Sequence, residues 1–366
     1  MAKKNKINFQ LLGIIFCLLV FGLAALYSAS TVESLNSFGN TTHYIIHQLI
    51  YGVGIGLIVM LALSKIDYHR WQKLLPLIIF VALALLAMVK APGFGFSAGG
   101  ATRWIHVGPL FFQPSELAKL AIVLYLAAWA AKTKGGNQSF VFGVLPSLII
   151  VGLFSLLILW QPDFGTMVIL IAISATMLFT SGMSLKHFTI LGLISIVALI
   201  GLIKFEPYRY DRLVSFLNPG IDPQGSSYQI NQALLSIGAG GSWGYGYGLS
   251  RQKYNYLPEP MGDSIFAVTA EELGFFRVLV LLGLFLLFFF KGLKIAKNAP
   301  DIFGKMAALG LTVWVTFQAL VNIGAMAGIF PLTGVPLPFF SYGSSSMLML
   351  LAAMGILLNI SRQAKT

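Results

Sequence analysis

The stretch Leu257-Pro258-Glu259-Pro260-Met261-Gly262-Asp263 delivers a carboxylate to the start of a long apolar run. Proline and glycine keep the chain out of helix before Asp263, so this residue stands at or near a helix N-terminus. It could cap the helix, a role aspartate fills well, or serve as a general base at a membrane–water boundary. Two effects oppose each other on its acidity. The helix dipole favours the ionised form and weakens the base, whereas desolvation disfavours the charge and strengthens it. A second apolar run opens with Gln113-Pro114-Ser115-Glu116, Pro114 being suited to a first turn. Glu116 and Lys119 share a helical face within pairing reach, either as an ion pair that pins the helix or as the wall of a polar cavity. Glu271, Glu272 and Arg277 lie deeper in the run after Asp263. They read as a buried network that holds the helix, since charge inside an apolar span is costly unless paired or hydrated.

The elements that must position these groups are membrane helices. Hydrophobic residues make up 57% of 366 and charged residues only 10%, where a soluble domain carries roughly 25%. Mean hydropathy is +0.83. Apolar runs long enough to span occur near residues 11–30, 44–64, 72–90, 114–131, 140–160, 163–181, 187–204, 264–290, 306–329 and 345–360. The expected fold is therefore an all-α polytopic membrane protein of about ten helices, a single membrane domain over 1–366. Lys3, Lys4 and Lys6 precede a run from Ile7 to Ala29. That run is longer than a cleavable signal's apolar core of about 7–15 residues, so it reads as an uncleaved first span.

Charge sets the orientation. With the N-terminus inside, the cytoplasmic segments hold Lys3, Lys4, Lys6, Lys65, Arg70, Lys73, Lys132, Lys134, Lys186, Lys291, Lys294, Lys297, Lys305, Arg362 and Lys365. The outer ones hold Lys90, Arg103, Lys204, Arg209, Arg212, Arg251 and Lys253, five of them in one long loop where the positive-inside rule has little force. Both termini are expected in the cytoplasm. The net charge of +12 is thus topogenic and points away from nucleic acid. The single cysteine, Cys17, permits neither an internal disulfide nor a cysteine metal site. Three outer segments, 91–113, 205–262 between helices 7 and 8, and 330–344, are rich in Gly, Pro, Ser and aromatics. The longest carries Trp243 and five tyrosines after position 227, which argues against disorder and for an ordered loop on the bilayer surface. No internal repeat of the kind found in many transporters is visible.

Several motifs together resemble the SEDS family (shape, elongation, division and sporulation proteins). They include Gly100-Ala101-Thr102-Arg103-Trp104-Ile105, Gln113-Pro114-Ser115-Glu116 with Lys119, and Gln161-Pro162-Asp163-Phe164-Gly165. In the long loop stand Arg212-Leu213-Val214-Ser215-Phe216-Leu217-Asn218-Pro219, Tyr228-Gln229 with Gln232, and Ile237-Gly238-Ala239-Gly240-Gly241. Tyr256-Leu257-Pro258-Glu259 leads to Asp263 and Glu271-Glu272-Leu273-Gly274, and Asn322-Ile323-Gly324, Gly334-Val335-Pro336-Leu337-Pro338-Phe339 and Ser341-Tyr342-Gly343 complete the pattern. The stretch 247–259 is more similar to the division branch (FtsW) than to the elongation branch (RodA).

The resemblance implies a peptidoglycan glycosyltransferase of the cytoplasmic membrane. It would polymerise lipid II on the outer face beside a class B penicillin-binding protein and other divisome or elongasome membrane proteins. Asp263 falls on the family's essential aspartate. Transfer from an α-linked undecaprenyl pyrophosphate to form a β-1,4 bond is an inversion, so one displacement with one base suffices. The leaving pyrophosphate needs positive charge, available from Arg103, Lys119, Arg212, Arg251 and Lys253, with Arg103, Lys119 and Arg212 the expected phosphate binders. Glu116, Gln229, Lys253, Glu259 and Ser341 join the expected substrate-binding set. A divalent cation (Mg2+ or Mn2+) on Asp263 or Glu259 could share the phosphate role. Two departures stand out: Met261-Gly262 replaces the family's usual His-Thr before the aspartate, and Ser344 follows Ser341-Tyr342-Gly343 where glycine is usual. A lipid II flippase or transporter and a noncatalytic divisome scaffold are the competing readings.

Overall fold

The structure, a computed structural model, describes residues 8–98, 101–108, 110–133, 144–204, 206–220 and 222–364. Lys3, Lys4, Lys6, Gly100, Lys134 and Lys365, and the start of the expected run 140–160, lie outside the described residues. An apolar helix stands at the place of every expected run. These are α1 (Phe9–Phe38), α2 (His43–His47) continuing through a π-helical turn (Gln48–Gly54) into α3 (Ile55–Lys65), α4 (His69–Met88), α5 (Pro114–Lys132), α6 (Leu145–Trp160), α7 (Phe164–Thr180), α8 (Leu185–Lys204), α11 (Ile265–Asn298), α12 (Ile302–Met326) and α13 (Ser344–Gln363). Among the described residues eight helical segments are long and apolar enough to cross a membrane, and α6 and α7 are shorter apolar helices. The chain is a multi-pass membrane protein.

Local chemistry sets the helix ends. Asn8 accepts a hydrogen bond from Leu11 N at 3.1 Å to start α1, which stops at Gly39 in the left-handed region. Asp163 caps α7 and Asp301 caps α12 in the same way, and Pro114 opens α5 as expected. The centre of the bundle is α5, α12 and α13, which bury 78%, 72% and 78% of their most apolar stretches, whereas α8 buries none. Lipid tails are as apolar as leucine, so membrane helices associate through close packing and small residues. Gly22 of α1 illustrates this: a Cβ there would lie 2.0 Å from the carbonyl oxygen of Phe339.

Two of the segments between spans have regular structure of their own. The segment 91–113 adds to the expected all-α architecture a small antiparallel sheet, β1 (Gly95–Ala98), β2 (Ala101–Val107) and β3 (Leu110–Phe112), in the order β1-β2-β3. Its register pairs Phe96 with Trp104 and Ile105 with Phe112; strands this short leave no periodic signal in the sequence. The long segment 205–262 is ordered, as its composition suggests, and the order takes the form of helices. It forms an amphipathic helix α9 (Pro207–Leu217) and a helix α10 (Tyr228–Ala239), the latter docked on α11 through buried Ile230, Ala233 and Ser236.

The docking uses a break in α11. Gly274 has φ 73°, ψ 175°, which is not helical. The orphaned carbonyls of Glu271 and Glu272 accept from Tyr245 N at 3.1 Å and Gly246 N at 3.0 Å, and Phe275 N and Phe276 N donate to Gly241 O and Ser242 O at 2.9 and 3.2 Å. A Cβ on Gly274 would sit 2.1 Å from Gly244 N and 2.4 Å from Trp243 C, with only backbone to yield. Gly274→Ala is therefore expected to cost about 2–3 kcal/mol, read as a lower unfolding temperature in detergent. An unchanged transition would show that the break is not needed for the fold.

Candidate active site

The described segments at the end of the bundle that carries α9 and α10 converge on one turn. Gly262 N and Ser264 N both donate to Glu259 O, at 3.0 and 3.2 Å, and Glu259 itself has φ 49°. Ser341 Oγ donates to Gly262 O at 2.7 Å and Tyr342 N to Met261 O at 2.8 Å. From α12, Asn322 Nδ2 donates to Asp263 O at 2.7 Å and to Val335 O at 2.8 Å. The backbone around Asp263 is thus clamped by α12 and by the segment leading into α13.

Its carboxylate is the reactive candidate. Helix α11 begins after Ser264, and the Asp263 side chain turns to α10, where Gln229 Nε2 donates to its two oxygens at 3.3 and 3.4 Å and to Ser264 Oγ at 3.0 Å. The capping alternative therefore gives way. Burial, and secondarily the nearby Glu259, push the Asp263 carboxyl up to about 6, against opposing pulls from Arg212 and the Gln229 hydrogen bond. Desolvation wins over the stabilising groups, which leaves a stronger base than an ordinary aspartate.

Beside it opens a cavity of about 640 Å³. Phe164, Val168, Phe317, Val321 and Phe330 make its apolar walls, and Arg103, Arg209 and Arg212 bring cations to it, with Glu206. Asp263 lies behind the Arg212–Leu332 wall: Arg212 Nη1 donates to Leu332 O at 2.9 Å. A methyl group on Gly334 would be 3.7 Å from Arg212 Nη1 and 3.9 Å from Asp263 Oδ2, so guanidinium and carboxylate overlook the same space. Arg103 is fixed by donation to the Gln161 and Pro162 carbonyls. Arg209 donates to Leu202 O at 3.0 Å and lies 5.6 Å from the Phe164 ring centroid.

The chain matches the protein family described as cell cycle proteins, of the FtsW, RodA and SpoVE type, over residues 9–366. It belongs to that family. Relatives include the stage V sporulation protein E of Bacillus subtilis, 40% identical over all of this chain and 99% of that protein. A probable peptidoglycan glycosyltransferase FtsW of Trichlorobacter lovleyi is 38% identical over 97% and 93%. Among solved structures, a peptidoglycan synthase complex described as coordinating polymerization and crosslinking superposes with TM-score 0.79, at 28% identity over 98% of both chains. The rod shape determining protein RodA of Thermus thermophilus gives TM-score 0.72 at 27% identity, also over 98% of both. The SEDS resemblance of the sequence is thereby upheld, as is the largely helical membrane fold.

Within this family member the expected site residues divide. Asp263, Glu259, Gln229, Arg212 and Ser341 gather at the turn, and Arg103 lines the adjoining cavity. Glu116, Lys119 and Lys253 do not reach it. Lys119 Nζ, fully buried, donates to Glu116 Oε1 at 2.9 Å and Gln318 Oε1 at 2.8 Å, and stands 5.0 Å from the Trp314 ring centroid. It pins α5 to α12 beneath the turn, the quieter of the two readings for that pair. Lys253 Nζ, also buried, donates to Glu272 Oε1 at 3.0 Å, Ser28 Oγ at 2.9 Å and Gly248 O at 2.7 Å. Neither ammonium can meet a phosphate without breaking its pair. Glu271 accepts from Ser236, Ser250 and Arg251 N, so the two glutamates do form a buried network. Arg277 is not part of it: exposed, it donates to Trp243 O. Arg251 packs over Tyr245.

Arg209 was missed as a binding candidate, although it stands three residues before Arg212 and so on the same face of α9. Asn322, whose amide clamps the Asp263 carbonyl, has no signal in the sequence beyond its place in Asn322-Ile323-Gly324. Among the described residues no group of three or more His, Cys, Asp or Glu could hold a metal; a divalent cation at the turn would find Asp263 and Glu259.

Proposed function

We propose that the chain is a peptidoglycan glycosyltransferase that polymerises lipid II on the outer face of the cytoplasmic membrane during division, with Asp263 as general base. The observation that carries this reading is a half-buried, clamped carboxylate of raised basicity beside an apolar cavity supplied with three arginines. The cavity fits a lipid pyrophosphate: Arg103, Arg209 and Arg212 take the phosphates and the apolar walls take the first isoprenes. A class B penicillin-binding protein is the proposed partner, by analogy with the synthase complex it superposes on. Polar groups concentrated at one end of the bundle favour surface chemistry over the midplane binding site of a transporter.

Labelled lipid II supplied to the purified protein, with and without its transpeptidase, tests the proposal by the appearance of glycan polymer. Lipid movement across vesicles without polymer would favour the flippase instead. The 40% identity to a sporulation protein favours a spore-specific wall as a second setting for the same chemistry. Deletion that spares vegetative division and blocks only spore formation would select it.

Arg212→Ala is expected to slow polymerisation about 10²-fold, as loss of one charge-stabilising donor does. It also removes a group that lowers the Asp263 pKa, so the residual activity should have its pH midpoint shifted upward. Glu259→Gln, which removes a charge that raises it, should shift the midpoint downward. Shifts of the same sign in both variants would refute the electrostatic account.

A further inference from the structure

A second polar surface flanks the Asp263 turn, away from the arginine-bearing cavity. It is built from the end of α1, from α2 and from the loop before α13. His43 stacks on Phe38 with ring centroids 3.6 Å apart, and Tyr44 meets Tyr342 edge-on at 5.1 Å. His47 Nδ1 lies 3.1 Å from Tyr342 Oη and 3.2 Å from Ser344 Oγ. Tyr342 is also the residue whose N–H holds Met261 O, so the cluster is tied directly to the catalytic turn. Glu259 is close enough to act electrostatically on both Asp263 and Tyr44, and Glu33 acts on Tyr44 as well. Beneath, Gln48 Oε1 accepts from Gly343 N at 3.2 Å. Its buried Nε2 has no hydrogen-bond partner among the described residues.

The chemistry of this surface is opposite to that of the cavity. The cavity has cations and apolar walls, suited to a lipid pyrophosphate. The cluster has aromatic faces, imidazole and phenol edges and two neighbouring carboxylates, which repel phosphate and accept hydrogen bonds from hydroxyls. Apolar ring faces bordered by a few placed polar groups are how proteins hold small amphipathic ligands. A pyranose has that character. Glycan transfer needs two substrates at one base, and the cavity accounts for the phosphate end of only one.

We propose that Tyr44, His47 and Tyr342, with Glu259, form the acceptor subsite, holding the N-acetylated terminal sugar of the incoming lipid-linked unit so that its C4 hydroxyl meets Asp263. This rests on the polymerase reading above. In the step the acceptor O4–H proton passes to Asp263 and O4 bonds to the donor's anomeric carbon. The bond from that carbon to the pyrophosphate oxygen breaks, and its electron pair leaves with the lipid pyrophosphate in the cavity.

The test uses full-length Asp263→Asn protein, which cannot turn over, and saturating lipid II with native mass spectrometry as readout. Two lipid II molecules per chain are expected. Adding Tyr44→Ala and His47→Ala should leave one, and Tyr44→Ala alone should weaken the second about tenfold. The retained first molecule reports that the variant is folded; should the pair fail to fold, Tyr44→Leu alone carries the same comparison. Adding Arg212→Ala instead should remove the other molecule. A single bound lipid II in Asp263→Asn, or a second one indifferent to Tyr44 and His47, overturns the assignment. Failure of the wild type with its transpeptidase to make any glycan would instead overturn the polymerase reading.

Discussion

Asp263→Asn is expected to lower glycan synthesis by about 10³-fold, the range that a positioned general base contributes, while the protein stays folded. Asparagine keeps the shape and the hydrogen-bonding reach to Gln229 but cannot accept the hydroxyl proton. The sign of the stability effect helps separate the two outcomes. The carboxyl is pushed up to about 6 from its ordinary 3.8, so the folded state binds the proton more tightly than the unfolded chain. Ionisation at neutral pH therefore costs the fold free energy, fully so above pH 6, and a neutral amide removes that cost. The variant should melt no lower than wild type near pH 7.5. Wild-type turnover should rise tenfold per pH unit well below 6 and level off above it, because the base must be ionised. A flat profile between pH 5 and 7, or an active Asp263→Asn protein, would sink the mechanism.

The largest effect on folding is expected at Lys253, not at the site. Lys253→Met leaves Glu272, which is 2% exposed, without its ion-pair partner. Removing one member of a buried pair costs about 3–5 kcal/mol, enough to prevent accumulation of folded protein near 37 °C. Lys253→Met combined with Glu272→Gln should recover most of the loss, since no charge is then stranded. Thermal unfolding in detergent followed by tryptophan fluorescence measures all three. A single variant that melts like wild type would mean the ammonium is not needed where it sits. Lys119 and Glu116 form the same kind of pair, and the double-variant logic applies there.

Much of the architecture was legible because a bilayer leaves few options. Backbone groups must be satisfied within each span, so uninterrupted apolar runs translate into helices. The turn at Asp263 was legible too, since Pro258, Pro260 and Gly262 cannot extend a helix N-terminally. What escaped is what depends on burial. Lys253 and Lys119 look like phosphate ligands in a string of residues. Only packing shows that Glu272 and Glu116 already hold them. Arg277 looked like a third member of the glutamate network, yet the break at Gly274 rotates everything beyond it and turns that guanidinium outward. The small sheet was invisible because its strands are three to seven residues long.

That same break makes α11 two struts joined by a hinge pin rather than one rod. Helical bonding does not run unbroken from Phe275–Asn298 to Asp263, because it is interrupted at Gly274, where the strip 241–246 supplies the partners instead. The Asp263 turn is therefore held from the side, by Asn322 of α12 and Ser341 and, further along α11, by the glycine-rich strip and the Lys253–Glu272 clasp.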